Sequence, residues 1–221
     1  MFINKVNVCS PFTPGDLMET KDLILTTALD LFSKKGFDGV SVRDIAKQVG
    51  VRESALYKHF KSKQEILDKI AEKMSTEVHE VYKNVQAPEA LGSDIAGAYT
   101  KISEKKLCEM VWNVFQVFTG ETELAKFRRL LFHEKHNKNF AAYYNSFFLD
   151  GVVKSQADTF SKLIKAGVFK KQDANIMAIQ FYSPVLFLFM KSDCGNTSEE
   201  EIKKTLFAHI HTFGKLYSEG K

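Results

Sequence analysis

Cysteine is scarce in this 221-residue chain. Cys9, Cys108 and Cys194 are odd in number, widely spaced and in no CxxC arrangement. Neither a disulfide framework nor a zinc site follows, and a reducing cytoplasm fits best. Net charge is also small, at +4, too weak on its own to argue for a nucleic-acid partner. No apolar run reaches membrane-spanning length: VLFLFM, from Val185 to Met190, is far too short and reads as a buried helical segment. No Ser/His/Asp elbow, phosphate loop or complete metal set is present, so no enzymatic activity, cofactor or metal is expected. The segment before Met18 lacks a secretory h-region, and Pro11, Pro14 and Gly15 argue against helix there. Residues 1–17 are therefore expected to form a disordered arm, or to reflect a misassigned start with translation beginning at Met18.

Phenylalanine, by contrast, is abundant: the chain has 19, most of them after residue 110. A bulky aromatic interior is expected in that part of the chain. The apolar residues recur at helical spacing throughout, with no strand-like alternation and no repeat. Thr20 can cap a first helix running to about Lys35, ended by Gly36. Ser41 with Asp44 and Ser62 with Glu65 form capping-box patterns for two later helices. Ile66, Ile70, Met74, Val78 and Tyr82 mark the stripe of the second of these, a long helix reaching about Asn84 and ended around Ala87 and Pro88. Helices then run from about Leu91 to Ile102 and from Leu107 to Gly120. Two segments, or one helix broken near Asn137, follow, and then a helix ended at Gly167. Two final helices are expected over about Gln172 to Ser192 and Ser198 to Tyr217. The fold class is all-α, divided into an N-terminal head over 18–65 and a helical body over 66–221.

The most informative stretch is SVRDIAKQVGVRESALYKHFKSK, Ser41 to Lys63. Ile45, Val49, Val51 and Leu56 supply apolar contacts between two short helices, Ala46 lets the backbones cross closely, and Gly50 suits a left-handed turn. This is the pattern of a helix-turn-helix, whose second helix enters the DNA major groove. The charge supports it locally: between Met18 and Lys63 nine Lys and Arg stand against six Asp and Glu, an excess of +3. The recognition helix should span about Glu53 to Phe60. Base reading is placed on Arg52, Glu53, Ser54 and Lys58, since Arg bonds guanine bidentately and Glu or Ser can reach base edges. Ser41 and Arg43 are expected to touch phosphate from the preceding helix.

SVRDIAKQVGVRESALYKHFKSKQEIL resembles the DNA-binding signature of the tetracycline-repressor (TetR) family of transcriptional regulators, above all in LYKHFKSK. The specific resemblance covers roughly a quarter of the chain, from Thr20 to Leu67. It implies a three-helix, homeodomain-like head, a homodimer on a near-palindromic operator of double-stranded DNA, and release by an unknown small-molecule effector. It also implies that Tyr57, His59 and Lys63 contact phosphate. The family often has a small hydroxylated residue where Arg52 and Ala55 stand, so operator preference is not carried over from any relative.

By the same resemblance the body should hold a ligand cavity. Candidate lining residues are Trp112, Phe115, Gln116, Phe127, His133, Tyr143, Tyr144, Phe147, Gln180 and Phe181, with the ordinary alternative that these aromatics simply fill the core. The last two helices are expected to form the dimer interface through Val185, Phe187, Phe189, Leu206, Ile210 and Phe213, an apolar surplus beyond what one small core buries. The leading reading is a cytoplasmic repressor released by a largely hydrophobic ligand. A DNA-bound structural or interaction protein of the same fold, without a ligand, is the first rival. A metal hydrolase using His133 and His136 is a distant one, because LFHEKHN is not HExxH and no third ligand is evident.

Overall fold

The computed structural model describes residues 14–87 and 94–219, with side chains from Thr20 onward. About 78% of it is helical. The chain divides into two compact units, Met1–Ile70 and Ala71–Lys221. The sequence signals at Pro11, Pro88 and Leu91 lie outside the described residues.

The first unit contains α1 (Pro14–Lys35), α2 (Val42–Val49), α3 (Glu53–Leu56) and the opening turns of α4 (Lys63–Asn84). Helix α1 starts at Pro14 rather than at a cap on Thr20, so residues 14–17 are helical and not part of an arm. Proline is no obstacle there, because the first residue of a helix has no intrahelical partner for its N–H and already needs the φ that proline imposes. Ile24, Leu25, Ala28, Leu29 and Phe32 form the buried face of α1. They share a core with Phe37, Val40, Ile45, Ala46, Leu56, Phe60, Ile66, Leu67 and Ile70.

Local chemistry sets the boundaries of α2. The Ser41 hydroxyl accepts from the Asp44 N–H at 3.1 Å, and the Asp44 carboxylate accepts in return from the Ser41 N–H at 2.9 Å. The Ser41 hydroxyl also donates to the Asp44 carboxylate at 2.5 Å, and this bond, more than that from the Ser41 N–H, holds the Asp44 carboxyl below its ordinary value. Gly50 ends the helix at φ 82°, and the N–H groups of both Gly50 and Val51 reach the Ala46 carbonyl at 3.0 Å. The pattern at α4 is only half reciprocal: Ser62 accepts from the Glu65 N–H at 3.1 Å, but Glu65 accepts from the Lys61 N–H rather than that of Ser62.

The second unit holds the rest of α4, α5 (Ile95–Lys101), α6 (Glu104–Thr119), α7 (Glu123–Glu134), α8 (Lys138–Phe148), α9 (Asp150–Lys165), α10 (Ala174–Asp193) and α11 (Glu199–Tyr217). Asn137 breaks α7 from α8 by capping the latter, its side chain accepting from the Asn139 N–H at 3.1 Å. Ser103, Thr122, Asp173 and Ser198 cap four of the others in the same manner. Phe160, Phe169 and Phe213 pack ring on ring at the centre, with centroids 5.5 to 6.2 Å apart.

Arg128 is fully buried and joins three helices. Its Nε donates to the Phe118 carbonyl at 2.8 Å, and both Nη atoms grip the Asp193 carboxylate at the end of α10. Its guanidinium carbon lies 5.3 Å from the Phe132 ring centroid and 5.1 Å from that of Phe189. Bidentate pairing of this kind offsets the cost of burying a charge that would otherwise be prohibitive.

Helix α10 departs from expectation in one respect. An 18-residue window of this 20-residue helix has a mean hydropathy of 1.2, enough by length and composition alone to cross a membrane. The short VLFLFM run understates this. The apolar content divides between an inner face (Met177, Ala178, Val185, Leu188, Phe189) that packs into the body and an outer one described below.

Candidate nucleic-acid interface and body cavity

The helix-turn-helix leaves most of its expected DNA-contacting side chains in solvent. Ser41 and Arg43 on and before α2, and Arg52, Glu53, Ser54, Tyr57 and Lys58 on and around α3, are all exposed, while His59 is half-buried. Tyr57 is 47% exposed, unusual for a large ring, and leaves its hydroxyl available to a partner. Beneath them Leu56 and Phe60 are buried and hold the segment to the head. The sequence expectation of a helix from Glu53 to Phe60 is too long. The α-helix ends at Leu56, and the Lys58 and His59 N–H groups bond three residues back, to Ala55 and Leu56, in tighter turns. Arg52 stands at the cap position with no side-chain capping bond, so its guanidinium is not spent on the helix it precedes.

Lys63 is the exception among these residues. Its ammonium donates to the carbonyls of Phe37 and Val40, at 2.7 and 2.8 Å, and lies 4.2 Å from the centroid of the Phe37 ring. Lys63, expected to contact phosphate, here forms an internal clamp that closes the loop between α1 and α2 onto the start of α4. The reason is packing: with Phe37 and Val40 buried, their carbonyls need a donor, and no backbone N–H of the loop supplies both.

The body contains a cavity of about 540 Å³. Its wall is built from Val78 and Tyr82 of α4, Tyr99 of α5, Met110 and Phe115 of α6, Phe147 of α8, Thr159 and Phe160 of α9, Phe181 and Tyr182 of α10, and Phe213 of α11. This volume lies well within the range of small-molecule sites. Among the sequence-predicted lining residues, the structure brings Phe115, Phe147 and Phe181 to the cavity. It places the others elsewhere.

Trp112 and Gln116 border a separate pocket of about 230 Å³, where Gln116 donates to Glu199 at 2.7 Å. Phe127 is wholly buried in solid core, edge-on to Phe147 at 5.2 Å. His133 points away, with its side chain 80% exposed beside Glu134. Tyr143 and Tyr144 are half-buried away from the cavity, Tyr144 standing edge-on to Phe132 at 5.3 Å. Gln180 is exposed and accepts from the Tyr217 hydroxyl. Periodicity missed the contributions of α4, α5 and α9, although Val78 and Tyr82 were visible in the α4 stripe.

The expected dimer residues also need correction. Val185, Phe189, Leu206, Ile210 and Phe213 are all buried inside the chain, because α10 and α11 turn these side chains toward the body and its cavity. Only Phe187, 61% exposed, is presented outward. It belongs to a stripe the sequence reading did not select: Ile176, Ile179, Ser183, Phe187 and Met190 are exposed at spacings of three, four, four and three along α10. Leu216 of α11 is exposed as well.

The clamp yields a direct expectation. Replacing Lys63 by Ala removes the ammonium donor from both carbonyls, of which that of Phe37 keeps the Val40 N–H at 3.3 Å, and should cost the head about 2 kcal/mol. Lys61→Ala, which alters an exposed side chain, should fall within about 0.5 kcal/mol of wild type. Urea unfolding followed by helical circular dichroism distinguishes them, and equal stability of both variants would contradict the clamp.

With this geometry in hand, the chain can be set beside known proteins. Residues 24–70 match the family model for bacterial regulatory proteins of the tetR family. The tetracycline repressor protein class A of transposon 1721, from Escherichia coli, is 43% identical over 56 residues. That match takes in 25% of this chain and 26% of the repressor, so the chain covers about a quarter of that relative's length. A tetR-family transcriptional regulator of Mesorhizobium loti superposes with a TM-score of 0.69 at 21% identity, covering 94% of this chain and 100% of the other. The regulator FadR of Bacillus subtilis, solved in complex with stearoyl-CoA, superposes with a TM-score of 0.64 at 18% identity, covering 87% and 96%. These two likenesses concern the fold. The family match is confined to residues 24–70, which contain the helix-turn-helix, and in this head the chain is similar to the tetR family of bacterial regulatory proteins.

Proposed function

We propose that this protein is a cytoplasmic transcriptional repressor that binds a near-palindromic operator as a homodimer and is released by a small, largely hydrophobic ligand held in the body cavity. The observation that carries the DNA half is the set of exposed residues on and around α3, Arg52, Glu53, Ser54, Tyr57 and Lys58, mounted on a buried Leu56 and Phe60. The tetracycline repressor, 43% identical over 56 residues, supports the repressor reading. For the ligand half the support is the cavity itself, together with the ligand-bound FadR of similar fold. The cavity also weighs against the rival of a ligand-free interaction protein, which has no need to leave such a space in its core.

The dimer pairs the outer stripe of α10, Ile176, Ile179, Phe187 and Met190, across a two-fold axis with its copy, joined by Leu216 of α11. Two heads held by such a dimer reach successive major grooves about 34–36 Å apart. Ligand packed against Val78 and Tyr82 biases the position of α4, whose opening turns belong to the head, and so changes that separation. The ligand acts only to the extent that it binds the two arrangements with different affinity.

Selection from randomised duplexes should return an inverted repeat, bound more weakly as salt rises. Arg43→Ala should lower the salt slope by about one phosphate contact with little change in preference. Arg52→Ala should instead alter the preferred base at one position of each half-site, by about 1–3 kcal/mol. A selection that returns no enriched motif for wild type contradicts the proposal. Phe187→Glu should leave the helical spectrum intact and produce monomers by light scattering, because the ring is solvent-exposed in the single chain and an added charge costs nothing until a partner must cover it. A dimer that survives this change does not use the α10 stripe.

A further inference from the structure

One face of α9 narrows the ligand further than the apolarity of the cavity does. This step rests on the reading of the cavity as an effector site. Among the described residues, no Asp, Glu, Lys or Arg lines the cavity. Arg128, 5.1 Å from the Phe189 ring in the wall, has both Nη atoms committed to Asp193. A carboxylate or ammonium entering this space would lose its hydration and find no counter-charge. The polar groups the wall does offer are neutral.

Thr159 lines the cavity and is only 6% exposed. Elsewhere in these helices Thr76, Thr119 and Thr205 turn their hydroxyls back to the carbonyl four residues earlier, at 2.8 to 3.2 Å. The Thr159 hydroxyl makes no such bond, and no other group among the described residues meets it. Nor is it closed off within the wall: the buried side-chain oxygens sealed without a partner are those of Glu77 and Tyr182. The surface left to the Thr159 hydroxyl therefore opens on the cavity. A buried hydroxyl without a partner is costly, and native structures keep few of them. Gln156, three residues earlier on the same face of α9, is half-buried, also lines the cavity and likewise leaves its amide unpaired. Other parts of the wall are ring-rich, with Phe115 stacked on Phe189 at 4.9 Å and Phe160 set edge-on to Phe181 at 5.8 Å.

We infer that the cavity takes an uncharged, ring-containing apolar molecule whose one hydroxyl or carboxamide group pairs with the Thr159 hydroxyl and the Gln156 amide on α9. Both side chains donate and accept, so a ligand group with the same dual character satisfies them together. A hydrocarbon has no such group, and a carboxylate only accepts.

Four probes on one skeleton test this: biphenyl, its carboxamide, its carboxylate and its aminomethyl derivative, the last as the ammonium ion. Binding to the full-length chain is measured by equilibrium dialysis at neutral pH, for wild type, Thr159→Val and Gln156→Leu. Thr159→Val keeps the branched shape and removes only the hydroxyl. Each variant should bind the carboxamide roughly tenfold more weakly than wild type does, and biphenyl at least as tightly. Both charged probes should bind wild type on the order of a hundredfold more weakly than the carboxamide. The melting temperature of ligand-free Thr159→Val should equal or exceed that of wild type, since the hydroxyl holds nothing in place. Carboxamide affinity unchanged in either variant overturns the inference, as does wild-type failure to bind the carboxamide or a charged probe binding as tightly. Equal weakening of carboxamide and biphenyl by Thr159→Val, with a lowered melting temperature, also overturns it, because Thr159 would then act through packing alone. Failure of the functional reading looks different: the carboxamide binds as expected but leaves operator affinity untouched.

Discussion

Helix α4 must satisfy two cores with one apolar stripe, and that constraint governs the rest of the structure. Ile66, Leu67 and Ile70 are buried among α1, α2 and α3 residues of the head, while Val78 and Tyr82 line the cavity of the body. Side chains three to four residues apart share a face of a helix, so Ile66 and Ile70 act together in the first unit, and Val78 and Tyr82 in the second. The start of the helix is fixed from outside it by the Lys63 clamp on the Phe37 and Val40 carbonyls. Its later residues are fixed less tightly, for they border empty space instead of packed side chains.

That asymmetry is physically costly, since protein interiors otherwise fill to crystal-like density. The body tolerates a cavity of about 540 Å³ because its surroundings are unusually well tied. The Arg128–Asp193 pair anchors the end of α10 to α7 and, through the Phe118 carbonyl, to α6. The Phe160, Phe169 and Phe213 cluster ties α9 to α11. The backbone ladder between Lys170 and Tyr217, and between Glu219 and Val168, closes the carboxyl-terminal helix onto the turn after α9. A space framed in this way can hold a molecule without collapsing when it leaves.

What was legible in the sequence was what short-range chemistry decides. The Ser41–Asp44 box, the left-handed Gly50 and the break at Asn137 depend on residues within a few positions of one another, and each stands where its sequence placed it. The Lys63 clamp was not legible because its partners lie 23 and 26 residues away, beyond the reach of any local pattern. The pocket and the interface failed for a related reason. Periodicity identifies an apolar face but not what covers it: Phe127 met solid core, Phe115 met the cavity, and Leu206, Ile210 and Phe213 turned inward rather than toward a second chain. The outer stripe of α10 escaped notice because a helix apolar nearly all round carries little directional information, and only the burial of its inner face shows which side remains.

The central claim is that cavity and head are two ends of one equilibrium transmitted by α4. Linkage requires that such coupling be reciprocal: a ligand that weakens operator binding by some factor must itself bind more weakly, by the same factor, when operator is present. The decisive measurement is therefore a paired titration. An apolar ligand found by its raising of the melting temperature is titrated by calorimetry with and without saturating operator duplex, and operator affinity is determined with and without saturating ligand. Equal factors, each roughly tenfold or more, are the predicted result. Ligand affinity indifferent to operator, with the ligand still bound in the cavity, would contradict the account.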